Sequence, residues 1–290
     1  MFSGPILLAA ILNGLMNGAI YALIALGLTL VYGVLHIINF AHGATMTAAM
    51  FAVFIAFTVF GIDPYVMAPI LAVVFFGLGY AIERFIIGPA SRGADNNVLL
   101  ITLGLSIIIE NGLLAIFHSD TRSIDVPYAF ASIDLGFTFL AVPRVIAFGI
   151  SLVVAGLLWL ILVRTDIGKA IRAVSRERMG AALVGIDVKH IYAVTFGLGA
   201  AIVAVAACLL MPTFYVTPRI GNAFVLVAFT IVVLGGMGSI PGAVIGALVI
   251  GVVESLSGLI FDESLGQLGI FLLFIMVLLV RPTGLFGAKS

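Results

Sequence analysis

MFSGPILLAAILNGLMNGAIYALIALGLTLVYGVLHIINFAHGATMTAAMFAVFIAFTVFGI, residues 1–62, holds no Asp, Glu, Lys or Arg, and the first charged side chain is Asp63. An apolar run of roughly 20 residues crosses the hydrocarbon core as a helix, so this stretch is long enough to cross more than once. Its apolar runs are continuous rather than alternating, which excludes the period-two pattern of a membrane β-barrel. The rest of the chain agrees: 63% of its 290 residues are hydrophobic and 9% charged. A soluble domain carries about 25% charged residues because water must wet its surface. The expected fold is an all-α integral membrane protein, a polytopic helical bundle forming a single transmembrane domain over 1–290. No basic region precedes the first apolar stretch, so a span is expected there rather than a cleaved signal peptide.

Apolar runs between polar breaks predict spans at 6–34, 44–60, 66–83, 98–117, 143–163, 191–211, 223–234, 243–260 and 267–281, about eight or nine crossings. The segment 223–234 is too short to cross alone and reads as one arm of a re-entrant hairpin. Orientation follows from Lys and Arg in the loops. The loop 164–190 holds Arg164, Lys169, Arg172, Arg176, Arg178 and Lys189, six of the thirteen basic residues. Placing it in the cytoplasm also puts Arg84, Arg92, Arg281 and Lys289 inside. Arg122, Arg144 and Arg219 are left outside with Asp63, Asp120, Asp125, Asp134, Asp262 and Glu263. The N-terminus is then outside and the C-terminus cytoplasmic.

Two stretches share a layout: Gly18 to Ala48, and Asn222 to Ala247. Each is an apolar helix, a Gly-bearing polar break and a small-residue helix returning, a pair of pseudo-repeated broken-helix hairpins. Irregular backbone at membrane depth must be buried in protein or line a wet cavity, and paired broken helices point to a transport path. Two ordinary hairpins with tight turns are the plainer alternative. In the first break, Asn39 and His42 either line the path or cap the broken helix ends. In the second, Gly235, Gly236 and Ser239 are the corresponding path candidates. Glu110, deep in its span with Asn111 beside it, is either a path residue or a carboxyl near the outer interface. Glu254 reads as a snorkelling or structurally paired acid. The small residues Gly242, Ala243, Gly246, Ala247 and Gly251 read as close-packing faces, and Trp159 and Tyr192 as interfacial anchors.

Within the loop, Arg178–Leu183 is expected to form a short helix with Ala181 and Ala182 on a small-residue face. Gly185 would stop it, and Asp187 would cap the next helix. Such an element suits docking into a groove of another protein. A solvated connector that only sets topology is the alternative.

Five ordered motifs now carry a family resemblance: YGVLHIINFAHG (32–43), ITLGLSIIIEN (101–111), GKAIRAV with GAALVGI (168–174 and 180–186), LGGMGSIPGA (234–243) and RPTGLFG (281–287). Together, from about Leu12 to Gly287, they resemble the permease subunits of branched-chain amino acid ABC importers, the LivH type. The resemblance implies a bacterial inner-membrane transporter containing a second permease subunit, two ATPase subunits and a periplasmic substrate-binding protein. It implies that Arg178, Ala181, Ala182, Leu183, Gly185 and Ile186 belong to a coupling helix seated in the ATPase, moved when ATP closes the ATPase pair. The family often has Glu where Ala44 stands and Lys where Val227 stands. Both departures replace an embedded charge with an apolar side chain, which suggests that the two charges interact elsewhere in the family.

The chain lacks a Walker A signature, in keeping with ATP being handled by a partner. A single Cys208 within an apolar segment allows no disulfide framework, and the four His show no metal-ligand spacing. No catalytic arrangement of Ser, His and Asp appears, and neither a cofactor nor a nucleic-acid partner is expected. A self-sufficient carrier or channel is the competing function, but it has no need of an ATPase-docking helix.

Overall fold

The computed structural model describes residues 4–91, 95–136, 138–261, 265–281 and 284–286. Arg92, Asp262, Glu263 and Lys289, used above for orientation, lie outside the described residues, as do Pro282, Thr283 and Gly287 of the last motif. The helices in chain order are α1 (Gly4–Leu35), α2 (Ala41–Phe60), α3 (Pro64–Ile82), α4 (Gly88–Ser91), α5 (Asp95–Phe117), α6 (Val142–Arg164), α7 (Asp166–Arg176), α8 (Arg178–Leu183), α9 (Val188–Leu210), α10 (Gly221–Gly235), α11 (Ile240–Ile260) and α12 (Gly266–Val280). A π-helical turn, Glu83–Ile87, joins α3 to α4. Among the described residues seven helices are long and apolar enough to cross a membrane, and α10 and α12 are shorter apolar helices. The chain is an all-α polytopic membrane protein.

Local sequence explains the helix boundaries. The Asp63 carboxylate accepts the Tyr65 amide at 2.8 Å, and Pro64 occupies the first turn of α3, where its missing N–H costs nothing. Gly61, at φ +66°, ends α2 in the left-handed conformation. Ser239 starts α11 by accepting the Gly242 amide at 3.2 Å. At 1.5 Å per residue α1 is about 48 Å long and α10 about 22 Å, so the first exceeds a hydrocarbon core of ≈ 30 Å and the second falls short of it.

The core sits around α1 and α9, whose most apolar windows are 78% and 89% buried, whereas that of α5 is 11% buried. Lipid is as apolar as leucine, so helices in a membrane associate mainly by close van der Waals packing. The α1–α11 crossing shows this: a Cβ on Gly14 would lie 2.7 Å from the Gly251 carbonyl oxygen, and one on Gly18 would lie 2.7 Å from that of Ala247. The small residues of α11 pack; they do not face open space.

The two hairpins, α1–α2 and α10–α11, lie against each other. Besides the α1–α11 crossing, α2 meets α10 where the buried Gly221 amide donates to Thr47 Oγ1 at 3.0 Å. At one end of the bundle the 118–141 segment forms a short hairpin, β1 (Ser132–Asp134) against β2 (Phe139–Ala141), in antiparallel register. Arg122 and Val216 exchange backbone hydrogen bonds there. Tyr128 stacks on Tyr65 and donates to Asp63 Oδ2 at 2.6 Å. Burial first, and then that hydrogen bond, pushes the Tyr128 hydroxyl well above its ordinary pKa. The α7–α8 segment stands at the other end.

Candidate coupling surface and translocation path

The segment after α6 begins with an amphipathic helix, α7, ahead of the short helix expected in the loop. Thr165 caps α7 by accepting the Gly168 amide at 3.1 Å. Gly168, Ile171 and Val174, spaced by three, are its buried side. Basic Lys169, Arg172 and Arg176 face away, with Lys169 paired to Asp166 at 2.9 Å in full solvent. The Lys169 ammonium holds the Asp166 carboxyl below its usual range, though an exposed pair of this kind adds little stability.

Next comes α8, the short helix expected at Arg178–Leu183. Glu177 accepts the Met179 amide at its start. Its end is a Schellman motif: the Ile186 amide donates to Ala181 O at 3.1 Å and the Gly185 amide to Ala182 O at 3.1 Å, with Gly185 at φ +90°. Only glycine adopts that conformation without a Cβ clash. Asp187 then accepts the His190 amide at 3.1 Å and caps α9. That hydrogen bond holds the Asp187 carboxyl below its ordinary value.

The faces of α8 differ. Ala181 is buried at the foot of the bundle, and the Arg178 guanidinium lies 5.6 Å from the centre of the Tyr192 ring. Ala182, also expected on a small-residue face, points outward with Met179, Leu183 and Val184, and the three bulky side chains are 73%, 84% and 76% exposed. A bare apolar patch within a basic polar segment marks an interaction surface.

The candidate path residues divide into two groups. Asn39 and His42 are both buried; Asn39 serves a backbone amide at the first break, and His42 a carbonyl within α1. Asn39 Oδ1 accepts the Ala41 amide at 3.0 Å. His42 Nε2 lies 2.8 Å from Ile24 O; a carbonyl can only accept, so Nε2 carries the hydrogen. Gly235 and Gly236 are buried, and with Ser239 they build the tight α10–α11 turn. Their neighbourhood is closed by the C-terminal segment, where Leu285 and Phe286 amides donate to Leu234 and Gly235 carbonyls at 2.8 and 3.2 Å. Glu110 and Asn111 belong to the second group, on the sparsely covered α5. Glu110 is half-buried and accepts from Ser106 Oγ at 3.2 Å, and Asn111 is exposed.

Residues 10–280 match the family described as branched-chain amino acid transport system / permease component. The chain belongs to this permease family. It is 36% identical over 97% of its length to the high-affinity branched-chain amino acid transport system permease protein BraD of Pseudomonas aeruginosa, covering 95% of that protein. It is 35% identical over 95% of its length to LivH, the corresponding permease protein of Escherichia coli, covering 94% of it. Among solved structures it is similar to PsaBC from Streptococcus pneumoniae in complex with Fab, with a TM-score of 0.51 over 94% of this chain and 92% of that one. At 15% identity that last likeness speaks for the fold alone.

The permease therefore acts as a membrane component of a transport system and not as an enzyme. One further polar group in it was not recognisable as a cluster from sequence. Tyr21 of α1 donates to Glu254 Oε1 of α11 at 3.1 Å, and Arg144 of α6 donates to Asn13 Oδ1 of α1 at 3.3 Å. Glu254, read above as a snorkelling or paired acid, is paired with Tyr21. No linear spacing could have signalled a contact between residues 233 positions apart.

Proposed function

We propose that this permease is the translocating subunit of an ATP-driven importer in the bacterial inner membrane, passing branched-chain amino acids delivered by a periplasmic binding protein. One of the two ATPase subunits docks on α8, with Arg178, Ala181, Ala182, Leu183, Gly185 and Ile186 forming the coupling element. The observation that carries the reading is the bare patch of Met179, Leu183 and Val184 beside Ala182. A self-sufficient carrier has no use for an apolar knob on a basic, water-facing loop, whereas a groove in an ATPase covers it.

The N-terminus lies outside and the C-terminus in the cytoplasm, as the Lys and Arg distribution favours. A second permease subunit covers α5. Support comes from Glu110 and Asn111, polar groups that lipid solvates badly, on the least buried of the long helices. The path runs along that covered face, with Glu110 and Asn111 on it. Asn39, His42, Gly235, Gly236 and Ser239 shape the breaks behind it.

The test is ATP-dependent uptake of radiolabelled leucine by cells co-expressing the subunit with its ATPase, second permease and binding-protein partners. Wild type is compared with Ala182→Asp, a substitution at an exposed position. Uptake abolished while the subunit stays in the membrane supports the importer and the coupling element together. Undiminished uptake removes the docking role from α8.

A further inference from the structure

The loop that carries α8 is fastened unequally at its two ends. On the entry side a single extended residue, Glu177 (φ −152°, ψ 99°), separates α7 from α8. Hinges are built from a few residues at element ends that absorb dihedral change, and Glu177 is placed as one. Behind it α7 is fixed, because Gly168 is pressed on the carbonyls of Ile161 and Leu162 in the last turn of α6. On the exit side the turn is closed. The Gly185 and Ile186 amides bond back to α8, and Asp187 caps α9 directly after them. The Arg178 guanidinium then reaches from the start of α8 to the Tyr192 ring near the start of α9, 5.6 Å from its centre.

Beyond that junction small residues bring α9 hard against two other helices. A Cβ on Gly197 would lie 2.8 Å from the Phe76 carbonyl oxygen of α3, and one on Gly199 would lie 3.0 Å from that of Gly27 in α1. The α3 contact is repeated at its inner end, where Tyr80 Oη lies 3.0 Å from His190 Nδ1 and the two rings meet edge-on. Packing this close leaves α3 and α9 no freedom to slide past each other. By contrast, a Cβ on Gly149 or Gly156 of α6 would meet nothing within 4 Å.

We infer that Tyr192, read from the sequence as an interfacial anchor, is a positioning residue of the transport cycle. Through Arg178 it ties α8 to α9, so displacement of α8 by the ATPase passes to the α3–α9 pair while α6 and α7 stay behind, with Glu177 as the pivot. The inference rests on the docking of α8 proposed above and adds the route that the motion takes from there. It also separates two roles within the coupling element: Arg178 turns toward α9, and Met179, Leu183 and Val184 form the bare patch.

Val73 of α3 and Val153 of α6 are 73% and 61% exposed, and the single native thiol, Cys208, is fully buried. Spin labels at Val73→Cys and Val153→Cys therefore report movement of α3 against α6. The importer complex, with cysteine-free partner subunits, is placed in nanodiscs, and the label distance is measured without nucleotide and with ATP trapped by vanadate. Trapping is expected to change the distance. Adding Tyr192→Leu should leave ATPase co-purification and trapped nucleotide unchanged, and lower the ratio of shifted to unshifted complexes about threefold, the factor that one exposed cation–π contact carries. Tyr192→Phe keeps the ring face and should shift like wild type. Arg178→Met should lower the ratio as much as Tyr192→Leu, and the two together no further than either alone. Because Arg178 is exposed, its variant reads the contact even where Tyr192→Leu folds poorly. A merely structural tyrosine would lower membrane levels and leave the ratio unchanged among complexes that trap nucleotide.

A wild-type distance that trapping does not change, an unchanged ratio in Tyr192→Leu and Arg178→Met, or a loss in Tyr192→Phe as large as in Tyr192→Leu overturns the inference and leaves docking on α8 standing. Loss of the ATPase from Tyr192→Leu also overturns it, since the ring would then belong to the docking surface. ATPase that co-purifies equally well with Leu183→Asp removes the docking reading itself, and the inference falls with it.

Discussion

Leu183→Asp separates docking from folding. Leu183 is 84% exposed in the isolated subunit, at the tip of α8 beside Val184. Exposed positions away from packed features tolerate substitution within about 0.5 kcal/mol, so the variant should reach the membrane and melt like wild type. Covering the leucine in an ATPase groove is worth about 2 kcal/mol, most of the value of burying such a side chain completely. Aspartate forfeits that and must also shed water on docking, at a cost of at least ~1 kcal/mol. A total of about 3 kcal/mol weakens association by roughly two orders of magnitude. The assay is co-purification of the ATPase with tagged permease from detergent extracts, run beside ATP-driven uptake and an immunoblot of membrane levels. The variant should retain little ATPase while its membrane level is unchanged. Full ATPase recovery with wild-type uptake would refute the reasoning, since no burial of Leu183 could then accompany docking.

Three further substitutions probe the rest of the structure. Gly251→Leu drives a side chain into the Gly14 carbonyl oxygen at the α1–α11 crossing; overpacking of this kind costs about 1–3 kcal/mol or more, and the monodisperse peak in fluorescence-detected size exclusion should shrink sharply. Gly185→Val places a β-branched residue at φ +90° and costs about 1–2 kcal/mol of local strain; uptake should fall while the melting temperature of the subunit holds, and Gly185→Asn should be milder. Ala44→Glu strands a charge at a position 2% exposed, a penalty of about 3–5 kcal/mol, whereas Ala44→Glu with Val227→Lys supplies a counter-charge on the adjoining α10. Higher membrane levels for the double variant than for the single one are expected, and equal levels would dismiss a pairing between those positions.

Much of the fold was legible because a bilayer imposes simple rules on a chain. A helix must be apolar over its membrane depth, so the charge-free first 62 residues and the later apolar runs declare their spans. Boundaries shifted outward by a few residues where caps decide them: α3 begins at Pro64 behind Asp63, and α9 at Val188 behind Asp187. The α8 helix with its Gly185 stop was readable for the same reason, since caps are local chemistry. The α7 helix was readable in principle, from Gly168, Ile171 and Val174 at a helical period, but its basic residues dominate the segment and hid that face. The sequence leaves Asn39 and His42 between path and cap; Asn39 accepts the Ala41 amide at the start of α2, whereas His42 reaches the Ile24 carbonyl in the middle of α1, which is no helix end.

What the sequence determined alone, then, is the membrane class, the apolar helices though not how many of them cross, the polar loop and the caps, because each depends on neighbours within a few turns of chain or on the solvent the segment meets. Tertiary structure decided which small residues meet, which face of α8 stays bare, and that Tyr21 of α1 pairs with Glu254 of α11 while Arg144 of α6 pairs with Asn13 of α1. Those facts depend on how α1, α6 and α11 cross, and crossings are set by close packing between segments more than a hundred residues apart, which no local pattern records.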